Sequence, residues 1–508
     1  MSTRKHPSRF RAVRPSPEGL EERRMLSTTI SGVDGDGDTW TLRLVGPGAL
    51  RVIRQPDSTG APTPYDEPGQ IDTIEIAGTF PLLTKLVGTV ERGPDGDGRV
   101  FFQQLRQLSN RAQAVPNGNG LVAINLPNFW LGLTSATGVT TATVPSIEVP
   151  DGVNTLRFGG VDVTAFFGQD PSRALNRNNQ NDRLTIDLGL PQHGGTRVVV
   201  DRMISDAQAA VGTGQPTQDS IAVTVDGRIS LFQANEIVGN TQIPSQSFGT
   251  SGGTLVTSVT DPVQGITGQI GYVRVGGNAT NFAVTTNDKM ANFFVGGETN
   301  NVSILTPAGS RNLYFGKGLD TTTILTNSIQ SLQANRGALN SRVISSRQIG
   351  QVVLGGDVSG TLIQSGYVQQ LESVFQNPAN IPDPVAQAGG RIHITIAGNV
   401  TESVIAASVE PFEGTFGGPF DLELPGGAIK GKIEGAIDNT DVTPESPNTA
   451  FYAGEVRVFS GPVIPPNVPE APYPRPISPL KLPGVPNLAS NNRYLNAAAA
   501  RALSARRR

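Results

Sequence analysis

The strongest pattern in the chain is a recurrence of apolar positions between Ile270 and Ile363, with a period of about twenty residues. In each copy two apolar residues, separated by one polar or solvent-side position, come just before a turn. The pairs are Val273 and Val275, Phe293 and Val295, Leu313 and Phe315, Leu332 and Ala334, and Val352 and Leu354. With the second member of each pair as position zero, plus nine is again apolar: Val284, Ile304, Ile324, Val343 and Ile363. The zero positions are 20, 20, 19 and 20 residues apart. One such unit cannot cover its own apolar face, so units of this kind stack and bury the face between neighbours.

The alternation before each turn is that of a strand with one buried face. A glycine corner follows at Gly276-Gly277, Gly296-Gly297, Gly316 and Gly355-Gly356, read as a turn through backbone angles that other residues avoid. A second short strand then buries plus nine. The pattern predicts an all-β chain folded as a parallel β-helix, a β-solenoid with rungs of about 20 residues, clearest over 270–367. A leucine-rich repeat competes, because Ile270 to Asn278 fits its frame. That frame requires an apolar residue at plus five, where Thr280, Asn300, Asp320, Leu339 and Ser359 stand. Four of the five are polar, which favours the solenoid. In this register Thr299 and Ser359 are predicted to face solvent.

Weaker copies precede the regular part. Ile71 to Ala77 has Ile76 at zero but Lys85 at plus nine; Val153 to Gly159 has Phe158 and Phe167; Ile229 to Asn235 has Ala234 and Ile243. The gaps of 41 residues from Ala234 to Val275 and 42 from Leu354 to Ile396 read as two rungs each. Excursion loops are predicted near 173–182 and 369–389, where polar or proline-containing stretches interrupt the pattern. Val33 to Arg54 reads as a hairpin bent at Gly46-Pro47-Gly48. The body therefore spans 28–459. Residues 1–27 form a flexible basic leader, and 460–508 a proline-rich linker with an arginine-ended tail.

Composition sharpens this outline. Sixty glycines and 38 prolines with 16% charged residues suit a turn-dense β protein. Cysteine is absent, which excludes disulfides, zinc–thiolate sites and cysteine nucleophiles. No run of eighteen apolar residues exists, so no transmembrane helix is predicted. The net charge of −3 hides a division: residues 28–488 hold 28 basic and 40 acidic residues, a net of −12. An acidic body argues against a nucleic-acid partner.

Near the N-terminus, Leu20-Glu21-Glu22-Arg23-Arg24-Met25-Leu26, followed by Ser27, resembles the LEPR-XLL motif of large exported proteins of planctomycete type. Glu22 stands where the motif has proline and Met25 where it has leucine. The strand pair that follows also resembles the opening of β-solenoid proteins carrying this motif. The resemblance implies an extracellular or cell-surface destination and assigns no activity.

Candidate chemistry is sparse. His6, His193 and His393 lack metal-binding helical spacing, and no nucleophile elbow or phosphate loop is present. Parallel β-helices host carbohydrate-active enzymes, which need carboxylates converging from adjacent rungs. At plus three the regular part offers Glu298 and Asp357, three rungs apart, or roughly 14 Å by strand spacing. That is too far for the paired carboxylates of glycoside hydrolysis. Asp34, Asp36 and Asp38 alternate as calcium ligands do, but Val45 occupies the twelfth position and the sixth is not glycine. Asp95 and Asp97 echo them. The trio reads as an acidic turn or a calcium site. Phe294 and Tyr314 fall outward on neighbouring rungs and mark a candidate partner surface; Asn278, Asn301 and Asn399 lie in glycosylation-type triplets.

These observations lead to the expectation of an exported, non-enzymatic β-solenoid serving a structural, adhesive or envelope role, with polysaccharide or other surface components as partners. The alternatives are a carbohydrate-active lyase or hydrolase and a calcium-dependent binding module. No catalytic residue and no cofactor other than calcium is expected.

Overall fold

The computed structural model describes residues 27–460 apart from 55–63, 66, 109–119, 133–144, 163–182, 192–193, 206–219, 240–252, 260–266, 369–384, 387, 411–421 and 439–448. The basic leader, the proline-rich tail, His6, His193, Phe167, Ile243, the 173–182 loop and most of the 369–389 loop lie outside the described residues. Every regular element among the described residues is a β-strand, and most strands pair in parallel.

The pairing follows the repeat. Ile270–Val275 lies beside Met290–Val295, and the series continues through Ser310–Phe315, Ile329–Ala334, Gln348–Leu354, Arg391–Ile396, Ala428–Ile433 and Glu455–Ser460. Val275 faces Val295, which faces Phe315, then Ala334, Leu354, Ile396 and Ile433. Side chains alternate across a strand, so in-register partners point the same way and form a column. Those at zero and minus two in the regular part are no more than 2% exposed.

A second series joins Ala279–Thr286, Thr299–Thr306, Thr323–Thr326, Arg342–Ser345, Leu362–Ser365 and Val404–Ala407. It carries the buried plus-nine column from Val284 to Ile405. A third, two-residue series runs through Leu319–Asp320, Ala338–Leu339, Val358–Ser359, Val400–Thr401 and Ile437–Asp438. Its inward residues occupy plus four, a buried column the sequence reading did not contain. Thr299 belongs to it. The expectation that Thr299 faces solvent is therefore wrong: it is 3% exposed and donates to the Gly318 carbonyl at 2.7 Å. Ser359 is half-buried.

The chain bends at plus six, where Asn281, Asn301, Thr321, Asn340, Gly360 and Glu402 all have φ between 47° and 59°. Asparagine tolerates this left-handed conformation better than most residues. Asn301 also donates through Nδ2 to Asn281 Oδ1 at 2.9 Å. The glycine corner at plus one has another cause. None of Gly296, Gly316 and Gly355 has positive φ. A Cβ on each would lie 2.4, 2.3 and 2.2 Å from the carbonyl oxygen of the preceding rung. Glycine is needed there for close approach between rungs, not for turning.

Between the bend and the second strand, the buried hydroxyls of Thr322, Ser341, Thr361 and Ser403 donate to the carbonyls of Asp320, Leu339, Ser359 and Thr401 at 3.1, 2.9, 2.9 and 2.7 Å. The hydroxyls of Ser341, Thr361 and Ser403 accept the amides of Thr322, Ser341 and Thr361 on the neighbouring rung at 3.0, 3.4 and 3.1 Å. Buried polar groups are tolerated because each has a partner.

Three local expectations need correction. Ala234 faces Val275 directly and Leu354 faces Ile396 directly. Each gap is thus one rung with an insertion, not two rungs. Ile71–Ala77 joins the second series through Val100–Leu108, whereas Val153–Asp162 joins the first, with Phe158 facing Val200 and Val200 facing Ala234. Finally, Thr39–Val45 and Ala49–Arg54 do not form a hairpin. The first pairs antiparallel with Ser27–Val33 and Lys85–Glu91, the second with Ile71–Ala77. Gly46-Pro47-Gly48 passes the chain between them. Arg54, 7% exposed, seals this end by donating to the carbonyls of Val33, Pro64 and Gly69.

The columns predict localised damage. Leu354, 1% exposed, should lose about 2–5 kcal/mol on truncation to alanine, measured by chemical denaturation. Exposed Asn300 should tolerate alanine within about 0.5 kcal/mol. Hydrogen exchange on Leu354→Ala should lose protection first over 330–400 and last over 153–162, because rungs touch mainly their neighbours.

Candidate functional site

The acidic turn after Ser27–Val33 is built by its own carboxylates. Asp34 Oδ1 accepts the amides of Asp36 and Asp38 at 3.3 and 2.8 Å. The turn is tied to the 93–99 loop: Asp38, fully buried, accepts the amides of Gly93 and Gly98 at 2.7 and 2.6 Å, and Asp36 accepts that of Asp97 at 3.2 Å. A Cβ on Gly96 would sit 1.7 Å from Asp38 Oδ1. The two Asp-Gly turns noted separately in the sequence are thus one clamp.

Carboxylate oxygens of Asp34, Asp36 and Asp38 lie within 4.8 Å of one another, the donor type a hard cation takes. In the clamp, each of the three already accepts a backbone amide. Burial is the main cause that pushes the Asp34 carboxyl up to about 8, reinforced by its hydrogen bond with Asp36 and the nearby negative charges. That same bond holds Asp36 below the ordinary carboxylate range.

A second acidic cluster lies outside the regular rungs, where the sequence pattern does not reveal it. On the outward side of the second series, Glu75 faces Arg106, Arg106 faces Glu148, and Glu148 faces Asp187. The signs run minus, plus, minus, minus. Ser146 donates to Glu148 at 3.1 Å. Desolvation raises the Asp187 pKa, with smaller contributions from Asp226 and Glu148. Carboxylates on adjacent rungs beside an arginine are the arrangement acid–base chemistry on a glycan requires. The only sequence signal was the Ile-Glu-Val and Ile-Asp-Leu alternation, which has no meaning until the register aligns it.

The outward side of the first series differs in charge. A shallow trough of about 620 Å³ is lined there by Lys85, Asn125, Arg157, Arg197, Val199 and Gln233. Further along the same face, Arg274 lies 5.9 Å above the Phe294 ring, and Phe294 stacks on Tyr314 at 5.1 Å with planes 5° apart. Asn335 donates to the Tyr314 hydroxyl at 2.8 Å. The outward placement of Phe294 and Tyr314 is as expected, but they cover each other's faces and form a staple between rungs.

The other singled-out residues are engaged in the stack. Asn278 and Asn399 accept the amides of Glu298 and Ala436, each at 2.8 Å, and Asp357 accepts that of Asn399 at 2.7 Å. Asn301 is 8% exposed. Glu298 approaches Arg336 at 4.0 Å. His393 is exposed within its strand. Among the described residues no helix is long and apolar enough to cross a membrane. Comparison with family models, curated proteins and solved structures finds no match for this chain.

The clamp predicts an inverted pH dependence. Unfolded Asp34 loses its proton near the ordinary 3.8, whereas the folded state keeps it to about 8. Stability attributable to Asp34 is therefore unaffected below pH 3.8, falls as pH rises between those values, and stays reduced above pH 8. Asp34→Asn mimics the protonated form. Its melting temperature should match wild type at low pH and exceed it by a growing margin up to pH 8. Calcium restoring the wild type alone at high pH would reveal a cation site in the clamp.

Proposed function

We propose that this chain is a parallel β-solenoid, with rungs of about 20 residues in its regular part, acting as an exported, non-enzymatic scaffold at the cell surface or outside the cell. One observation carries this reading: a single inward column descends in register from Leu126 through Phe158, Val200, Ala234, Val275 and Leu354 to Ile433. Such stacking gives a stiff body with long flat faces, suited to structural or adhesive work. Its three series of strands are the faces of the coil. Export rests on the LEPR-XLL resemblance at Leu20 to Leu26.

A second reading, a carbohydrate-active enzyme, is favoured by one specific observation, the adjacent Glu148 and Asp187 beside Arg106. A fold that hosts such enzymes does not establish one.

Incubation of purified protein with acidic and neutral polysaccharides separates the two. The scaffold reading expects no release of reducing or unsaturated ends. Release that disappears in Asp187→Asn, with the fold intact by circular dichroism, would replace it with the enzymatic reading. Fractionated cells should place the full chain outside the cytoplasm and a chain lacking residues 1–27 within it.

A further inference from the structure

We propose that the outward side of the first strand series, over the stretch from Lys85 to Arg274, is a binding face for an acidic polysaccharide lying along the direction in which the rungs stack. This deepens the adhesive reading and rests on it only in that the polymer is held and not cut.

Two outward columns define the face. One reads Val87, Asn125, Arg157, Val199, Gln233 and Arg274; the other reads Lys85, Ala123, Thr155, Arg197 and Leu231. Four cations and no carboxylate occur in them, although residues 28–488 carry a net charge of −12. Lys85, Arg157 and Arg197 are exposed and Arg274 is half-buried. None of the four makes an ion pair among the described residues. Asp201, at the turn edge, accepts from Asn235 at 2.5 Å. Other cations of the chain stand beside carboxylates: Arg202 pairs with Glu236 at 2.7 Å and Arg457 with Glu455 at 2.6 Å. Among the described residues, the charge on this face is therefore open to an external anion.

The cations stand on rungs zero, two, three and five of the series, spanning about 24 Å at the usual strand spacing. The interval suits an extended polymer with spaced negative charges better than a small anion. Guanidinium groups bind carboxylates and sulfates through directed donors, and Asn125 and Gln233 between them supply amides for hydroxyl groups. Single-stranded nucleic acid would need open aromatic faces for its bases. Phe294 and Tyr314, the aromatic pair on this face, are stacked on each other with Arg274 above. The chain's isoelectric point near 5.8 also disfavours a nucleic acid.

The test uses the full chain and fluorescently labelled polygalacturonate, with dextran as a neutral polymer and oligo(dT) as a nucleic acid. Wild type should bind polygalacturonate at low salt, weaken as salt rises, and ignore dextran. Arg157→Ser with Arg197→Ser should weaken binding by about tenfold or more, from hydrogen bonds to charged groups lost at both sites. Gln233→Glu, which places a carboxylate in the trough, should weaken it too. Lys430→Ser with Arg457→Ser, both already beside Glu455, should bind as wild type. Equal binding by the Arg157/Arg197 variant overturns the proposal, as does equal affinity for dextran, tighter binding of oligo(dT), or no binding at low salt. Appearance of unsaturated ends in the same samples would sink the scaffold reading while leaving the face supported.

Discussion

Everything in this molecule depends on the register between one strand and the equivalent strand of the next rung. Parallel pairing places like positions side by side, and a slip of one residue would turn every inward column outward. The long insertions fall between paired elements, and within strands the register shifts only locally, as between Leu126 and Trp130 and between Ile349 and Val352. Within the columns, volume is shared between rungs. Ala334 lies between Phe315 and Leu354, and the rings of Phe232, Phe282, Phe293 and Phe315 follow one another at 6.0, 6.2 and 5.5 Å. Small side chains such as Ala334 make room for large neighbours, so that the interior is filled jointly by adjacent rungs.

Register alone does not bend the chain, and the corners use two unrelated devices. At Gly296, Gly316 and Gly355, all at plus one, a Cβ would collide with the preceding rung's carbonyl, so glycine is there for space. Asn335 and Ala397 fill the same position on other rungs. At plus six the backbone itself is left-handed, and asparagine predominates in the regular rungs. A single explanation for both corners would predict glycine at plus six, where only Gly360 is found in that column. The hydroxyl ladder adjoining the bend serves a third need, satisfying amides that the change of direction takes out of the sheet.

How much could be read beforehand follows from this division. The zero, minus-two and plus-nine columns were legible from Val273 to Ile363 because strand periodicity and equal spacing agree there. The plus-four column was not, since Ala279, Thr299 and Ala338 are small or polar and look like turn residues. Gaps of 41 and 42 residues were misread because an insertion about as long as a rung has the same length as a rung; only the direct facing of Ala234 with Val275 distinguishes them. The clamp was half legible: Asp34, Asp36 and Asp38 stood out, but their partners lie near Gly93 and Gly98, across a hairpin. The charged faces were not legible at all, because Arg157, Val199 and Gln233 become neighbours through uneven spacings.

In-register stacking also governs where charge can go. A column brings successive side chains to about 5 Å, and like charges at that distance oppose pairing. Between Lys85 and Arg274 the first series avoids this by spacing, with Val199 and Gln233 separating Arg157 from Arg274; further on, Lys430 faces Arg457 and both lie beside Glu455. The second series avoids it by alternation, with Glu75 between Arg51 and Arg106, the former at 3.3 Å. Glu148 and Asp187 break that rule; the raised pKa of Asp187 comes mainly from desolvation, with Asp226 and then Glu148 adding to it. Two adjacent carboxylates carry a local cost at this step. The enzymatic alternative attaches to these two residues for that reason, and the proposed polymer-binding face to the opposite solution, where cations are spaced apart and form no ion pair among the described residues.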